Sequence, residues 1–184
     1  MLAAGLILAA PPLFAARPFI DEPEPITPKS VEAGPKWGEE QFRLPAWPDD
    51  RNLVAIKTDT SDARFTHYVD INSLTTGKDE VVRYTVVAES TTGTRNVTFE
   101  GMRCTPHGAY KEYAYGVNGK FVPTAVADQW RTLDKGGIDA YRTELWRYYL
   151  CVPRLFKPRP KNEQVRMLRS GRVPGVENRG FITN

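Results

Sequence analysis

The tightest constraint in this chain lies between residues 81 and 104. Val82, Tyr84, Val86 and Ala88 alternate with Arg83, Thr85 and Glu89, while Val81 and Val87 share the more polar side. Val97, Phe99 and Gly101 then alternate with Asn96, Thr98 and Glu100. A period of two sends successive side chains to opposite faces of a strand. The link Thr91-Thr92-Gly93-Thr94 is short and carries a glycine, so the two runs are expected to fold back as an antiparallel hairpin. A hairpin of this length needs further strands and a cover to be stable.

The neighbouring segments supply both. Residues 109–117 read as a third strand, Asn118-Gly119 as a turn, and Lys120-Phe121-Val122 as its return. Upstream, residues 53–56 form a short apolar run. Phe65, His67 and Val69 alternate up to Asp70, and residues 71–74 lead into a turn at Thr76-Gly77-Lys78-Asp79. After the strands the period changes. Thr124 is a plausible N-cap for a helix over 125–133. A longer helix is expected over 137–151, where Ile138, Tyr141, Leu145 and Tyr148 recur at helical spacing, Trp146 and Tyr149 widen the stripe, and Pro153 follows. Strands first and helices after predict an α+β fold, an antiparallel sheet covered on one face by the C-terminal helices. The aromatic stripe of the last helix reads as core rather than as a cofactor contact.

Composition bounds the rest. The 184 residues are 41% hydrophobic and 26% charged, with a net charge of +3, which suits one ordinary soluble domain rather than a disordered chain. Residues 1–16 carry no charged side chain and are rich in leucine, too short to span a bilayer comfortably, and end on Ala15-Ala16; they read as a cleaved export signal. Residues 17–50 form a proline-rich acidic lead-in, punctuated by Trp37, Phe42, Leu44 and Trp47. Aromatics in such an arm usually plug an apolar groove of their own domain; docking to a partner is the sharper alternative. Residues 51–153 make up the α+β domain. Residues 154–184 are a basic tail, in which Arg154, Lys157, Arg159, Lys161, Arg166, Arg169, Arg172 and Arg179 face only Glu163 and Glu177. A short amphipathic segment is possible at 163–168. The two cysteines, Cys104 and Cys151, are expected to form one disulfide in an exported chain, closing a loop whose entropy is worth about 4 kcal/mol. Cys104, His107 and His67 are too few for a four-ligand zinc site, and no metal is expected.

Several strings resemble a known family when taken together: residues 65–70 with Ser73-Leu74, Asp79-Glu80-Val81-Val82-Arg83-Tyr84-Thr85, Phe99-Glu100-Gly101-Met102-Arg103-Cys104, Tyr113-Ala114-Tyr115-Gly116, Trp130, and Leu150-Cys151. They resemble the cryptic neisserial protein-like family of exported bacterial proteins, from about Trp37 to Cys151. The resemblance implies export and a single compact domain. It implies no activity.

The charges inside the strands are the chemically interesting part of that pattern. Arg83, Glu100, Arg103 and Glu112 are either structural ion pairs or the lining of a shallow polar groove that captures a carboxylate or phosphate. Arg83, Glu100 and Arg103 are therefore the candidate ligand-binding residues. Among near-apolar neighbours, Arg83 and Arg103 need acceptors, and Glu100, Glu112 and Asp70 are the candidates. Asp79-Glu80 sits in a turn and reads as solvated.

No dinucleotide fingerprint, phosphate-binding loop, nucleophile elbow or zinc-protease helix occurs in the sequence. The expected function is an exported, periplasmic, non-catalytic binding or envelope-associated module without cofactor, taking a periplasmic protein or an anionic ligand. Two alternatives stand beside it. One is a periplasmic hydrolase built on His67, Asp70 and Ser73, although one strand and turn would point these to different faces. The other is a nucleic-acid or anionic-surface binder acting through the basic tail.

Overall fold

The computed structural model describes residues 37–58, 64–125, 129–133, 140–152 and 154–171. The expected signal at 1–16, the first part of the lead-in and the end of the tail lie outside these residues.

The expected hairpin forms. β3 (Val81–Ser90) and β4 (Arg95–Arg103) pair antiparallel, from Val81 opposite Arg103 to Glu89 opposite Arg95. β2 (Phe65–Thr76) flanks β3, and β5 (Ala109–Val117) flanks β4. β1 (Leu53–Ala55) and β6 (Lys120–Pro123) complete the order β1-β2-β3-β4-β5-β6, with every pair antiparallel. The segments at 65–70 and 71–74 are one strand, β2, whose register shifts between Asp70 and Thr75. Ser73 repairs the shift. Its hydroxyl donates to the Asp70 carbonyl at 2.7 Å and accepts the Thr85 N–H at 2.7 Å, so a buried amide is not left unpaired.

Of the helix expected over 137–151, residues 137–139 lie outside the described residues. α1 (Ala140–Glu144) runs into a π-helical turn at Leu145–Leu150. In that turn the Cys151 N–H donates to the Trp146 carbonyl, five residues back. Leu145, Tyr149 and Leu150 are buried in the core, and Trp146 and Tyr148 pack against it. They pack on Val82, Tyr84, Val86 and Met102, the even-numbered side of the hairpin. β8 (Cys151–Val152) and β9 (Lys157–Pro158) follow as a small two-stranded sheet, then α2 (Lys161–Ser170). α2 includes the possible amphipathic segment and packs on β1, β2 and the π turn, burying Gln164 and Leu168. The described residues are thus more β-rich than anticipated, a long antiparallel sheet with two short helices near their C-terminal end.

The helix expected over 125–133 is a correction. Residues 126–128 lie outside the described residues. Gln129 and Trp130 are irregular, and β7 (Arg131–Thr132) pairs with Ala109 and Tyr110 of β5. The Thr124 N–H, expected to open a helix, instead donates to the Tyr113 carbonyl at 3.0 Å, and the Leu133 N–H reaches Gly108. Bonds to β5 decide this stretch, and they override local helix propensity.

Cys104 and Cys151 are bonded, with Cα atoms 5.5 Å apart. Cys151 opens β8 rather than ending a helix, so the bond clamps the C-terminal segment to the end of β4.

Candidate functional site

Two buried charged clusters lie on opposite faces of the sheet. The strand alternation decides which residue goes where. Arg83 is on the odd-numbered face of β3, with Gly101, Lys111 and Tyr113; Tyr84 and Glu100 are on the even-numbered face beneath the helices. The structure therefore separates Arg83 from Glu100, and the three sequence candidates do not line one groove.

On the helix-covered face, Glu100 is 0% exposed. Its Oε1 accepts from Tyr141 Oη at 2.7 Å, Arg142 Nη2 at 2.7 Å and Thr98 Oγ1 at 2.9 Å; its Oε2 accepts from Arg142 Nε at 3.0 Å and Tyr84 Oη at 3.3 Å. Arg142 also donates to Glu112 at 2.6 Å and lies over the Tyr110 ring. Burial alone would raise the Glu100 carboxyl, yet the Arg142 charge and these donors hold it below the usual carboxylate range. The Glu100 carboxylate is thus bound from both the sheet and the helix, which makes this cluster a rivet between them.

The opposite face is covered by residues 37–48 of the lead-in, which cross it as an extended strap. Phe42 packs against Phe99 and Tyr113 with ring centroids 5.8 and 4.3 Å away. Trp47 packs on Phe121 and rests above Gly116, where any Cβ would strike its ring. Trp37 stands edge-on to Trp130 and donates its indole N–H to the Asp79 carbonyl at 3.0 Å. Trp37, Phe42 and Trp47 thus rest on rings of their own chain while staying 42%, 38% and 41% exposed, so they lie on the surface rather than filling a deep groove.

Between these plugs the strap delivers acids to a basic floor. Glu39 accepts from Lys111 Nζ at 2.7 Å and Tyr113 Oη at 2.5 Å, with Arg83 Nη2 at 3.7 Å. Burial would raise its carboxyl, but Lys111 and Tyr113 hold it below its ordinary value. Burial, and then the bond to Glu39, push the Tyr113 phenol far upward, so it stays a donor. Glu40 is bound through its backbone: its N–H donates to Asp79 Oδ2 at 2.9 Å, and its carbonyl accepts from Arg83 Nη2 at 3.2 Å. Its carboxylate accepts the Lys78 N–H at 2.7 Å. Gly77 makes room for this crossing, since a Cβ there would collide with Asp79, Glu40 and Arg83.

Arg83 is 3% exposed and is held by Asp79 through bonds of 2.6 and 3.2 Å. Asp79 is a correction, since its turn read as solvated. Left-handed Glu80 tightens the turn so that position 79 reaches back to 83, and the strap then closes over both. Arg103 also departs from expectation. Its guanidinium lies over Trp37, 3.8 Å from the ring centroid, with the Trp130 ring at 5.5 Å, so aromatic rings replace the anticipated carboxylate. Glu39, Asp79, Lys111, Tyr113 and Arg142 were missed as site residues. Only the acidic run punctuated by tryptophan and phenylalanine pointed toward the strap.

The imagined hydrolytic set takes up local duties. Ser73 bridges two backbone groups, Asp70 Oδ1 accepts the Asn72 N–H, and the His67 ring stacks on Tyr141 with centroids 4.2 Å apart. Among the described residues no cluster of His, Cys, Asp and Glu is grouped to hold a metal, and no helix is long and apolar enough to cross a membrane.

A family model described as CNP1-like matches residues 32–169, a span that takes in strap, sheet, disulfide and α2. The chain belongs to the CNP1-like family. The resemblance read from the residues is roughly consistent with this match, and the match carries no activity with it. No curated protein and no solved structure matches the chain.

Proposed function

We propose that this CNP1-like chain is an exported, non-catalytic α+β binding module of the bacterial envelope, and that its recognition face is the one beneath the strap. One observation carries the reading. Lys111, Tyr113 and Arg83 converge on a single carboxylate, Glu39, which is delivered by an extended segment rather than by the sheet. Such a floor recognises a carboxylate flanked by aromatic side chains, and the strap is the built-in example of that ligand. Export is supported by the apolar leader in the sequence and by the disulfide, which persists in oxidising compartments. Catalysis would need a nucleophile or acid–base pair facing a cleft. The acids on the strap face are engaged as acceptors, and the strap occupies the surface above them.

The test uses the full chain carrying Glu39→Ala and Phe42→Ala, which removes two anchors of the strap and leaves the sheet intact. A fluorescent peptide of residues 37–48 should bind this variant and lose binding when Lys111→Met is added. It should not bind the wild-type chain, whose own strap holds the groove at high effective concentration. A folded variant that ignores the peptide overturns the reading. Cell fractionation checks the other half: the oxidised protein is expected in the periplasm, and a cytosolic reduced protein contradicts export.

A further inference from the structure

We infer that the tip of the β8–β9 hairpin is a bilayer contact that docks this chain on an anionic membrane surface. This inference does not rest on the strap face. Arg154, Leu155 and Phe156 lie at the tip. Leu155 is 67% exposed and Phe156 47%, the two most exposed large apolar side chains among the described residues. They are neighbours in sequence. Arg154 and Phe156 sit at φ 70° and 52°, a left-handed region that non-glycine residues seldom adopt. Glycine or asparagine would turn the chain there with less strain. Strain held at an exposed apolar pair is an observation that suggests use.

The tip is also rigidly mounted. At its base Cys151 is bonded to Cys104, just past the end of β4, Cys151 pairs with Pro158, and the Arg159 N–H donates to the Leu150 carbonyl at 2.8 Å. Arg154 and Lys157 flank the apolar pair in sequence and Lys161 follows, while Arg159 is 15% exposed and pairs with Glu163 at 3.9 Å. Lys157, Arg159 and Lys161 line a cleft of about 550 Å³ that opens against the end of β2 and Glu80. An apolar pair flanked by Arg154 and Lys157 matches the bilayer boundary, where acyl chains take the apolar groups and anionic headgroups take the charges. A nucleic acid would satisfy the cations but leave Leu155 in water.

The test labels the tip alone. A full chain with Leu155→Cys carries an environment-sensitive nitrobenzoxadiazole dye; a second chain carries it at Thr92→Cys, on the exposed β3–β4 link. Vesicles of equal phosphatidylglycerol and phosphatidylcholine should shift the dye at 155 to the blue and brighten it. The dye at 92 should not respond, and pure phosphatidylcholine should give a much weaker shift. Lys157→Ala with Lys161→Ala should weaken binding about tenfold or more. In flotation, the unlabelled Leu155→Ser, Phe156→Ser chain should lose most of its vesicle binding. A dye at 155 that stays in water on vesicle-bound protein overturns the inference, as does undiminished flotation of the serine variant. Failure of the wild-type chain to bind anionic vesicles overturns it too. A tip response to single-stranded RNA in the absence of vesicles would reassign the surface to nucleic acid.

Discussion

The two faces of the sheet are closed in different ways. Beneath α1 and the π turn, the cover is apolar, is joined to β4 through a disulfide, and is riveted by Glu100 to Arg142. Beneath the strap, the cover is an irregular segment held by discrete anchors: Trp37 on Asp79, Glu39 on Lys111 and Tyr113, Phe42 and Trp47 on rings. Among the described residues no ladder of backbone bonds ties 37–48 to the strands; the strap's polar bonds each use a side chain on at least one partner. The first face is a core. The second has the grammar of a bound peptide, with pockets and charges read one residue at a time.

That contrast makes graded predictions. The largest effect belongs to Arg142→Met. It strands Glu100 at 0% exposure without its cation, and removing one partner of a buried pair costs about 3–5 kcal/mol. Denaturant unfolding should show this as a large drop in midpoint. Arg83→Met comes next. Asp79 keeps its backbone donors from Glu40 and Val81, so the loss should be smaller, about 2 kcal/mol, and should come with loosening of the strap. A loss as large as that of Arg142→Met would make the strap face part of the core and break the comparison. At the small end, Arg95→Ala removes exposed, solvent-screened pairs with Glu89 and Asp50 and should leave the denaturation midpoint almost unchanged.

Acid should sharpen the comparison. Glu100, Asp79 and Glu39 all have carboxyls held below their ordinary values in the folded chain. A depressed carboxyl stabilises fully above its unfolded value of about 4, and that stability is lost as pH falls through the folded value. Melting should therefore be insensitive to these groups near neutrality and decline below about pH 5. Asp70, raised mainly by burial, works weakly the other way. Glu39→Gln should blunt the acid response of the strap, followed by Trp37 fluorescence, while leaving that of the core in place.

Much of the sheet was legible before any coordinates. β3, β4 and β5 announce themselves because alternation records which face is buried, and Asn118-Gly119 marks a turn by its own chemistry. The disulfide followed from a count of two. What escaped depends on partners far away in sequence. Nothing near Arg142 says that it will meet Glu100, and nothing near Asp79 says that Glu40 and Trp37 will cover it. Residues 129–133 look helical until β5 is there to pair with them. The candidate site was half visible: Arg83 and Glu100 were singled out correctly as charges that need partners, but alternation by one position put them on opposite faces. Arg103 shows a further limit, since a cation can be satisfied by rings that a search for carboxylates overlooks.

The claim that the strap is an occupant of the sheet rather than a layer of the core is tested most directly by native-state hydrogen exchange. The Glu40 and Lys78 amides are bonded to side chains that clasp the strap, whereas the Thr85 amide is bonded to Ser73 within the sheet. The account predicts that Glu40 and Lys78 exchange through a local opening well below the free energy of global unfolding, that Arg83→Met lowers that opening further, and that Thr85 exchanges only with the whole molecule. If all three amides exchange at one free energy in the wild-type chain, the strap unfolds only with the core, and the account is contradicted.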